Sequence, residues 1–403
     1  MPGSGVFSME TDRNEPEDLP DYQGGGIVNL MASLQTGLGG PVPAYAPAGL
    51  LSPESVREHA QVLLLVIDGM GLNFLQAHPE AACLNAHLRG GLTSVYPPTT
   101  ASAITTFITG EAPQQHGLTG WNMYLRELGS VVTVLPGRAR FGGVTLGEAG
   151  IDVAALLGHT PFSELIGVNA WTVSPAHIAR SDFNLAHLGR SRLLSYRGLT
   201  ELLARIVGVL RKAGPKFVYA YWPELDSLGH REGLWSEASR SHLLELDRAF
   251  EAFLEQIRGT DTRVIVCADH GQVDTSDAER ICLDDHPRLA DMLVLPLCGE
   301  PRSVCCYLRP GCEDRFDAYI EHEFAGIARS FPGSYLIDSG WFGLGEPHPR
   351  LRQRIGDRVL IMEGNYILKD WLIQEHRFEM TGVHGGLSRD ELYVPLIIAG
   401  DTL

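Results

Sequence analysis

Residues 62–69 read Val-Leu-Leu-Leu-Val-Ile-Asp-Gly, a continuous apolar run that ends abruptly in a carboxylate. A short run of this kind, followed by glycine, is typical of a strand buried on both faces of a parallel sheet. Three further runs have the same character, at residues 217–221, 264–268 and 394–399. Pro395 in the last run predicts a strand that lies at a sheet edge or begins late.

Helical patterns separate these runs. Apolar side chains recur at three- and four-residue steps from Leu199 to Leu210 and from Leu243 to Ile257, as on the buried face of a helix. Helix alternating with strand predicts an α/β fold with a mostly parallel central sheet flanked by helices. Ligands bind such sheets beyond the carboxyl ends of the strands.

The domain boundaries follow from composition. Residues 1–55 are predicted to be an N-terminal tail and a surface connector, because they are first acidic and then rich in Gly and Pro. Residues 56–403 are predicted to form one domain. Within it, about 125–190 and 282–371 have weaker periodicity and are predicted to be insertions that form a cap over one end of the sheet.

Charge and cysteine content narrow the possible partners. The formal net charge of -17 disfavours binding to nucleic-acid polymers and to anionic membranes. The seven cysteines include no Cys-x-x-Cys pair, which indicates reduced thiols. We see no apolar segment of signal-peptide or membrane-spanning length, so the expected location is the cytoplasm. The sequence predicts no oligomeric state.

Acidic and histidine side chains stand at the ends of the predicted strands. The candidate metal ligands are Asp68, Asp226, His230, Asp269, His270 and His384. A single aspartate at a strand end could be a turn residue. Three such aspartates are hard to explain in that way, because an unpaired charge in a dry site is costly. Asp and His suit zinc-like ions in sites that stay open to substrate. Six such ligands are enough for two divalent ions.

A candidate nucleophile lies in residues 96–103, which read Tyr-Pro-Pro-Thr-Thr-Ala-Ser-Ala. The prolines exclude helix before Thr99, so a helix is predicted to begin at or just after Thr100 and to end at Gly110. The helix dipole contributes up to ~1 kcal/mol at such a hydroxyl, which cannot ionise an alcohol. A bound metal ion can lower the pKa of the hydroxyl enough to ionise it. With the metal ligands present, Thr100 is therefore predicted to be a nucleophile and not an ordinary N-cap.

Taken in chain order, these blocks resemble the alkaline phosphatase superfamily, in particular its type I phosphodiesterase/nucleotide pyrophosphatase branch. The resemblance spans residues 62–400 and implies phosphodiester hydrolysis through a phosphothreonine on two metal ions, usually zinc. Mn²⁺ accepts the same ligands. The family resemblance assigns one ion to Asp226, His230 and His384, and the other to Asp68, Thr100, Asp269 and His270.

Two departures from the family pattern affect the assignments. The branch usually shows Thr-x-Pro-Asn at the nucleophile, whereas this chain has Thr-Ala-Ser-Ala from Thr100, so Thr99 remains a rival. The family also has a phosphate-binding Asn after a His-Gly element. Asn122 matches it only if the spacing slips by one residue; it is predicted to bind substrate, with a turn role as the alternative.

Other reactions stay open. A phosphomonoesterase or phosphonate hydrolase could use the same site, but the greater charge of a monoester favours nearby Lys or Arg. None lies within a few residues of Asp68, Thr100 or Asp269, which favours diesters. A phosphate mutase would need a serine nucleophile and several basic residues, and Thr100 argues against it. The motif of a sulfatase is not present. A non-catalytic metal-binding scaffold is disfavoured because no ligand is missing. The substrate is expected to be a small phosphate ester of unspecified leaving group.

Overall fold

The computed structural model describes residues 18–373, 375 and 377–400. The strands of this part of the chain are β1 (Gln61–Ile67), β2 (Leu88–Thr93), β3 (Asn122–Leu125), β4 (Ser130–Thr133), β5 (Arg138–Ala139), β6 (Asn169–Pro175), β7 (Arg192–Tyr196), β8 (Lys216–Trp222), β9 (Thr262–Cys267), β10 (Val273–Asp274), β11 (Arg280–Cys282), β12 (Cys298–Glu300), β13 (Ser303–Cys306), β14 (Ala328–Pro332), β15 (Arg358–Met362), β16 (Ile367–Lys369), β17 (Gly382–Val383) and β18 (Tyr393–Ala399).

The α-helices of the same part are α1 (Ile27–Gly37), α2 (Pro53–Arg57), α3 (Leu72–Gln76), α4 (Ala82–Ala86), α5 (Thr100–Thr109), α6 (Pro113–His116), α7 (Val153–Leu157), α8 (Phe162–Leu165), α9 (Asp182–Ala186), α10 (Leu199–Leu210), α11 (Glu224–Glu232), α12 (Glu237–Gln256), α13 (Pro287–Ala290), α14 (Glu313–Glu323), α15 (Gly333–Asp338), α16 (Leu351–Arg354) and α17 (Arg389–Leu392). In the residues described, no helix combines the length and the apolar character that a membrane span requires.

A seven-stranded central sheet organises the fold, in the order β2-β18-β9-β1-β8-β6-β7. Strand β1 pairs in parallel with both β8 and β9, and these three strands are buried along their whole length. Strand β18 runs antiparallel to β9 and β2. The four predicted apolar runs form β1, β8, β9 and β18, and the predicted α/β class with a mostly parallel sheet is confirmed.

Pro395 does not mark an edge strand. Strand β18 lies between β2 and β9, so the edge alternative is wrong. Pro395 is aligned with Gly91 of β2, whereas the pairing with β9 begins only at Ile397. The proline, which has no N–H, therefore interrupts no hydrogen bond to β9.

A second, antiparallel sheet of seven strands, in the order β14-β15-β13-β12-β3-β4-β5, takes up most of the predicted cap. It combines strands from residues 282–371 with β3, β4 and β5. The predicted insertion at 125–190 has the wrong boundaries, because β6 falls within it and belongs to the central sheet. Strand β6 was missed because polar residues interrupt its apolar side chains, as Asn169-Ala-Trp-Thr-Val-Ser shows.

The predicted connector 1–55 contains a core helix. In α1, Ile27, Leu30 and Leu34 are fully buried in the main hydrophobic core, and their three- and four-residue spacing explains the helix. The expectation that 1–55 is only tail and connector is therefore wrong for this stretch; the neighbouring glycines had obscured its pattern. Residues 1–17 of the predicted tail lie outside the described residues.

Candidate active site

The ends of neighbouring parallel strands bring the predicted ligands to one edge of the central sheet. Asp68 follows β1, Asp269 and His270 follow β9, and Asp226 and His230 lie on α11, directly after β8. His384 follows β17, whose pairing with β10 places it beside the segment after β9. Residues far apart in sequence therefore meet because parallel strands end together.

One group of three ligands comprises Asp226, His230 and His384. The Nε2 atom of His230 lies 3.3 Å from Oδ2 of Asp226, and Nε2 of His384 lies 3.9 Å from its Oδ1. The pair on α11 is four residues apart, which places both side chains on one helix face. Since the ligand atoms all lie within 4.8 Å of one another, the group can hold one metal ion.

The second group comprises Asp68, Asp269 and His270, and it is almost completely buried. Nε2 of His270 lies 3.3 Å from Oδ1 of Asp68 and 3.6 Å from Oδ2 of Asp269. The hydroxyl of Thr100 lies 3.1 Å from the same Nε2 atom. The structure thus places the predicted nucleophile against the second candidate metal group.

The two groups adjoin through their histidines. The rings of His270 and His384 stack with their centroids 3.8 Å apart. Burial, followed by the neighbouring His270 and His230, holds the pKa of His384 well below its usual value. His384 is therefore a neutral imidazole near neutral pH, the form that binds metal ions.

The donor set fits two divalent cations. Oδ1 of Asp68 and Oδ2 of Asp269 are buried and have no hydrogen-bond partner among the described residues. Burial, with the nearby charges of Asp269 and Asp226, raises the pKa of Asp68 well above its usual value. Buried carboxylate oxygens without partners are costly, and a bound divalent ion would offset that cost and favour the charged form. Three carboxylates and three imidazoles suit zinc or manganese.

Surrounding polar groups orient these ligands. The Tyr221 hydroxyl donates to Oδ2 of Asp68, and the Gln272 amide donates to Oδ1 of Asp226. Nδ1 of His230 lies 2.7 Å from a backbone carbonyl of β17, which directs its Nε2 atom towards the site. Sequence reasoning missed Tyr221 and Gln272, because neither belongs to a motif.

The backbone geometry at residue 69 explains why a glycine follows Asp68. Its φ of 74° lies in the left-handed region, and a Cβ there would come within 3.0 Å of Asp226. Its N–H donates to Oδ1 of Asp269 over 3.2 Å. Glycine therefore lets the end of β1 approach α11 and connects the two ligand groups.

Hydrogen bonds distinguish the two candidate nucleophiles, Thr99 and Thr100. Helix α5 begins at Thr100 and ends before Gly110, whose φ is 79°, as the sequence predicted. Thr99 is fully buried, and its hydroxyl donates to Oε1 of Glu300 over 2.6 Å. Thr99 is thus held by another group, whereas Thr100 faces His270. The geometry favours Thr100 over its rival.

A cleft of about 350 Å³ adjoins this site and is lined in part by residues of the second sheet. The residues that line it include Thr100, Asp226, His230 and His384 on one wall, and Trp121, Asn122, Arg140, Glu300, Lys369 and Trp371 on the other. The cleft is large enough for a small phosphate ester, whose reacting group would lie between Thr100 and Asn122.

Asn122 is the first residue of β3 and lies in this cleft. Its Oδ1 accepts a hydrogen bond of 3.0 Å from Thr133, which leaves the NH₂ group as a donor for a ligand. The alternative turn role is wrong, because every described residue with positive φ is a glycine. Substrate binding by Asn122 remains a prediction that this position favours.

Glu300, at the end of β12, connects the two walls of the cleft. Its Oε1 accepts hydrogen bonds of 2.6 Å from both the Thr99 hydroxyl and the Trp121 N–H. Burial raises the pKa of Glu300 to about 7. One carboxylate oxygen therefore fixes the residue before Thr100 relative to the residue before Asn122. Sequence reasoning missed Glu300, since it lies in the predicted insertion without a motif.

No Lys or Arg lies close in sequence to the predicted nucleophile, but two basic side chains lie in the cleft beside it. Arg140, which directly follows β5, and Lys369, at the end of β16, both line the cleft although they are distant in sequence from the predicted ligands. Arg140 is neutralised by Asp370, at 2.7 Å, and by Glu375, at 2.8 Å. The absence of Lys and Arg near the predicted nucleophile in the sequence is therefore weaker support for diesters than expected.

Fold and site together are those expected of a phosphate-ester hydrolase with an alkaline-phosphatase-like fold and two candidate metal-binding groups. The family model described as type I phosphodiesterase/nucleotide pyrophosphatase matches residues 62–385, most of the chain. The chain belongs to this family, and it is a hydrolase of the phosphodiesterase/pyrophosphatase kind. The resemblance inferred from the sequence motifs is confirmed.

Solved structures agree in fold. Murine ectonucleotide pyrophosphatase/phosphodiesterase 5, as an inactive variant in complex with AMP, superposes with a TM-score of 0.63 at 16% identity over 83% of this chain and 87% of that one. The human protein of the same name gives a TM-score of 0.63 at 15% identity over 84% and 87%. A comparison with the sequences of curated proteins gave no significant match.

Proposed function

We propose that this protein hydrolyses phosphate diesters through a phosphothreonine at Thr100, with two divalent metal ions held by the two ligand groups. One observation carries the proposal: the Thr100 hydroxyl lies 3.1 Å from His270, in a group in which Oδ1 of Asp68 and Oδ2 of Asp269 are buried and have no hydrogen-bond partner among the described residues. A hydroxyl in that position is next to the place where a bound cation would neutralise these oxygens.

The proposed ions are zinc, with Mn²⁺ as the alternative. Asp226, His230 and His384 would hold one of them, and Asp68, Asp269, His270 and the Thr100 oxygen would hold the other. When bound, such ions supply Lewis acidity, which lowers the pKa of a coordinated hydroxyl and stabilises charge on phosphate and leaving-group oxygens.

The residues of the chain would carry the reaction in two displacements. Oγ1 of Thr100 attacks the phosphorus, the Thr–O–P bond forms, and the bond to the leaving oxygen breaks. Water then attacks the phosphothreonine, which releases the phosphate monoester and restores the hydroxyl. The NH₂ group of Asn122, whose Oδ1 is already occupied by Thr133, would donate to a non-bridging phosphate oxygen, and Glu300 would keep the segments before Thr100 and Asn122 in register.

The substrate class is proposed from the cleft and the family. A neighbour in fold has been solved in complex with AMP, and a cleft of about 350 Å³ with two tryptophans accommodates a nucleotide ester. We also propose a cytoplasmic location, which the seven free cysteines support. No nucleic-acid polymer or membrane partner is proposed.

The test of this function compares two chromogenic esters. Purified protein should hold about two zinc ions and should have a higher kcat/KM for bis(p-nitrophenyl) phosphate than for p-nitrophenyl phosphate. The reason is that the predicted phosphate donor, Asn122, is neutral and that Arg140 is paired with carboxylates. Faster monoester turnover under matched conditions would contradict the diesterase assignment and favour the phosphomonoesterase alternative.

A further inference from the structure

A fully buried ion pair connects the second sheet to α17. Arg302 lies in the turn between β12 and β13, and Glu391 lies on α17; their side chains are 1% and 0% exposed. Nε of Arg302 donates to Oε1 of Glu391 over 2.7 Å. The guanidinium also donates to the carbonyls of Tyr366, over 2.9 Å, and of Gly364, over 2.8 Å. The side chain of Arg302 is therefore fixed from several directions.

Glu391 also contacts the segments that follow two of the candidate metal ligands. Its Oε1 accepts a hydrogen bond of 2.7 Å from the N–H of Gly386, two residues after His384. Its backbone carbonyl accepts a hydrogen bond of 2.9 Å from the N–H of Gly271, directly after His270. The rings of these two histidines stack with their centroids 3.8 Å apart. One residue thus holds the backbone next to both imidazoles.

The loop after His384 packs closely against the ion pair. A Cβ at Gly386 would lie 2.8 Å from Nε of Arg302 and 2.9 Å from Oε2 of Glu391, so the approach requires glycine. The carbonyl of the neighbouring residue, Gly385, accepts a hydrogen bond of 2.5 Å from the Ser303 hydroxyl. The loop is therefore held through an N–H group and a carbonyl group, one on each side of the same peptide unit.

Stability alone does not account for the pair. Replacement of a buried ion pair by apolar residues of similar size is often neutral or stabilising. Removal of a group that orients a metal ligand, by contrast, typically costs about 10–100-fold in metal affinity. A role in folding and a role in orienting a ligand therefore predict different results when the pair is removed.

We propose that Glu391, held by Arg302, is a positioning residue for His384. The hydrogen bond from the Gly386 N–H to the Glu391 carboxylate sets the position of the His384 imidazole within its ligand group. The inference rests on the metal site of the proposed function. It adds to that site two residues that touch neither the substrate cleft nor a metal ligand directly.

The test compares two double variants that both remove the ion pair. Arg302→Met/Glu391→Gln keeps an amide oxygen that can accept from the Gly386 N–H, whereas Arg302→Met/Glu391→Leu has no such acceptor. Competition with a chelator for Zn²⁺ should show that the leucine variant binds one of the two ions at least about tenfold more weakly than wild type. The glutamine variant should retain most of the affinity. The weakened ion should be the one that His384→Ala loses.

Arg358→Met is the matched control, because it removes another ion pair of the second sheet, that with Asp317 at 2.8 Å. It should leave the affinity for both ions unchanged. Urea unfolding of the metal-free proteins shows whether the double variants fold. If the leucine variant does not fold, Gly386→Ala replaces it: the added methyl group has to displace the loop from the ion pair, and the same ion should be bound at least about tenfold more weakly.

Zinc binding is measured without any ester, which separates this inference from the proposed function. Selective loss of one ion by the leucine variant, in a protein that hydrolyses no ester, would retain the positioning role and reject the hydrolase mechanism. Wild-type zinc affinity in the folded leucine variant, or in Gly386→Ala, would overturn the positioning role even if esters are hydrolysed. An equal loss in both double variants would also overturn it, because the acceptor for Gly386 would then make no difference.

Discussion

Thr100→Ala is expected to lose at least about 10³-fold in turnover of bis(p-nitrophenyl) phosphate while it keeps both metal ions. The alanine removes the oxygen that would bond to phosphorus. The six Asp and His ligands stay in place, because they come from other elements of the fold. Steady-state kinetics and metal analysis by plasma emission on the same preparation measure the two quantities. Thr100→Ser should regain part of the activity.

The matched control for this variant is Thr99→Val. It removes the hydroxyl that donates to Glu300 but keeps the oxygen of Thr100, so it should reduce turnover by far less than Thr100→Ala. If Thr100→Ala stays active and Thr99→Val does not, the nucleophile is Thr99. If both variants stay active, the attacking group is water.

His384→Ala is expected to reduce the bound metal from two ions to one and to abolish turnover. His384 supplies one of three ligands in its group, together with Asp226 and His230. Changes to outer partners of a metal ligand already cost 10–100-fold in affinity or activity, and loss of the ligand itself should cost more. Metal content after gel filtration, followed by ester hydrolysis, tests this expectation.

His322→Ala provides the comparison for the histidine variant. His322 lies on α14 with 84% of its side chain exposed, so its loss should change neither the metal content nor the rate. A His384→Ala protein that retained two ions and normal turnover would show that His384 is not a ligand. Loss of metal from both variants would instead indicate a general loss of folding.

The central strands and their ligands could be predicted because one physical rule governs both. Strands buried on both faces, such as β1 and β9, have continuous apolar sequences. Their carboxyl ends share one edge of the sheet, so Asp68 and Asp269 meet whatever the number of residues between them. The strand pattern and the residue after each strand were therefore enough to locate the candidate site.

The facing wall could not be predicted in the same way. It is built from short strands of an antiparallel sheet, whose partners are set by long-range pairing and not by local pattern. Glu300 enters the cleft through that pairing, and Lys369 through the separate pairing of β16 with β11, so no motif marks either residue. Strand β6 and helix α1 were missed for local reasons: polar residues interrupt the first, and glycines precede and follow the second.

The most direct test of the account is a crystal structure of the zinc-loaded protein with anomalous data collected at the zinc edge. We expect two peaks about 4 Å apart, one among Asp226, His230 and His384 and the other among Asp68, Asp269 and His270, beside the Thr100 hydroxyl. A single peak, or peaks away from these side chains, would contradict the two-metal site on which the proposed reaction depends.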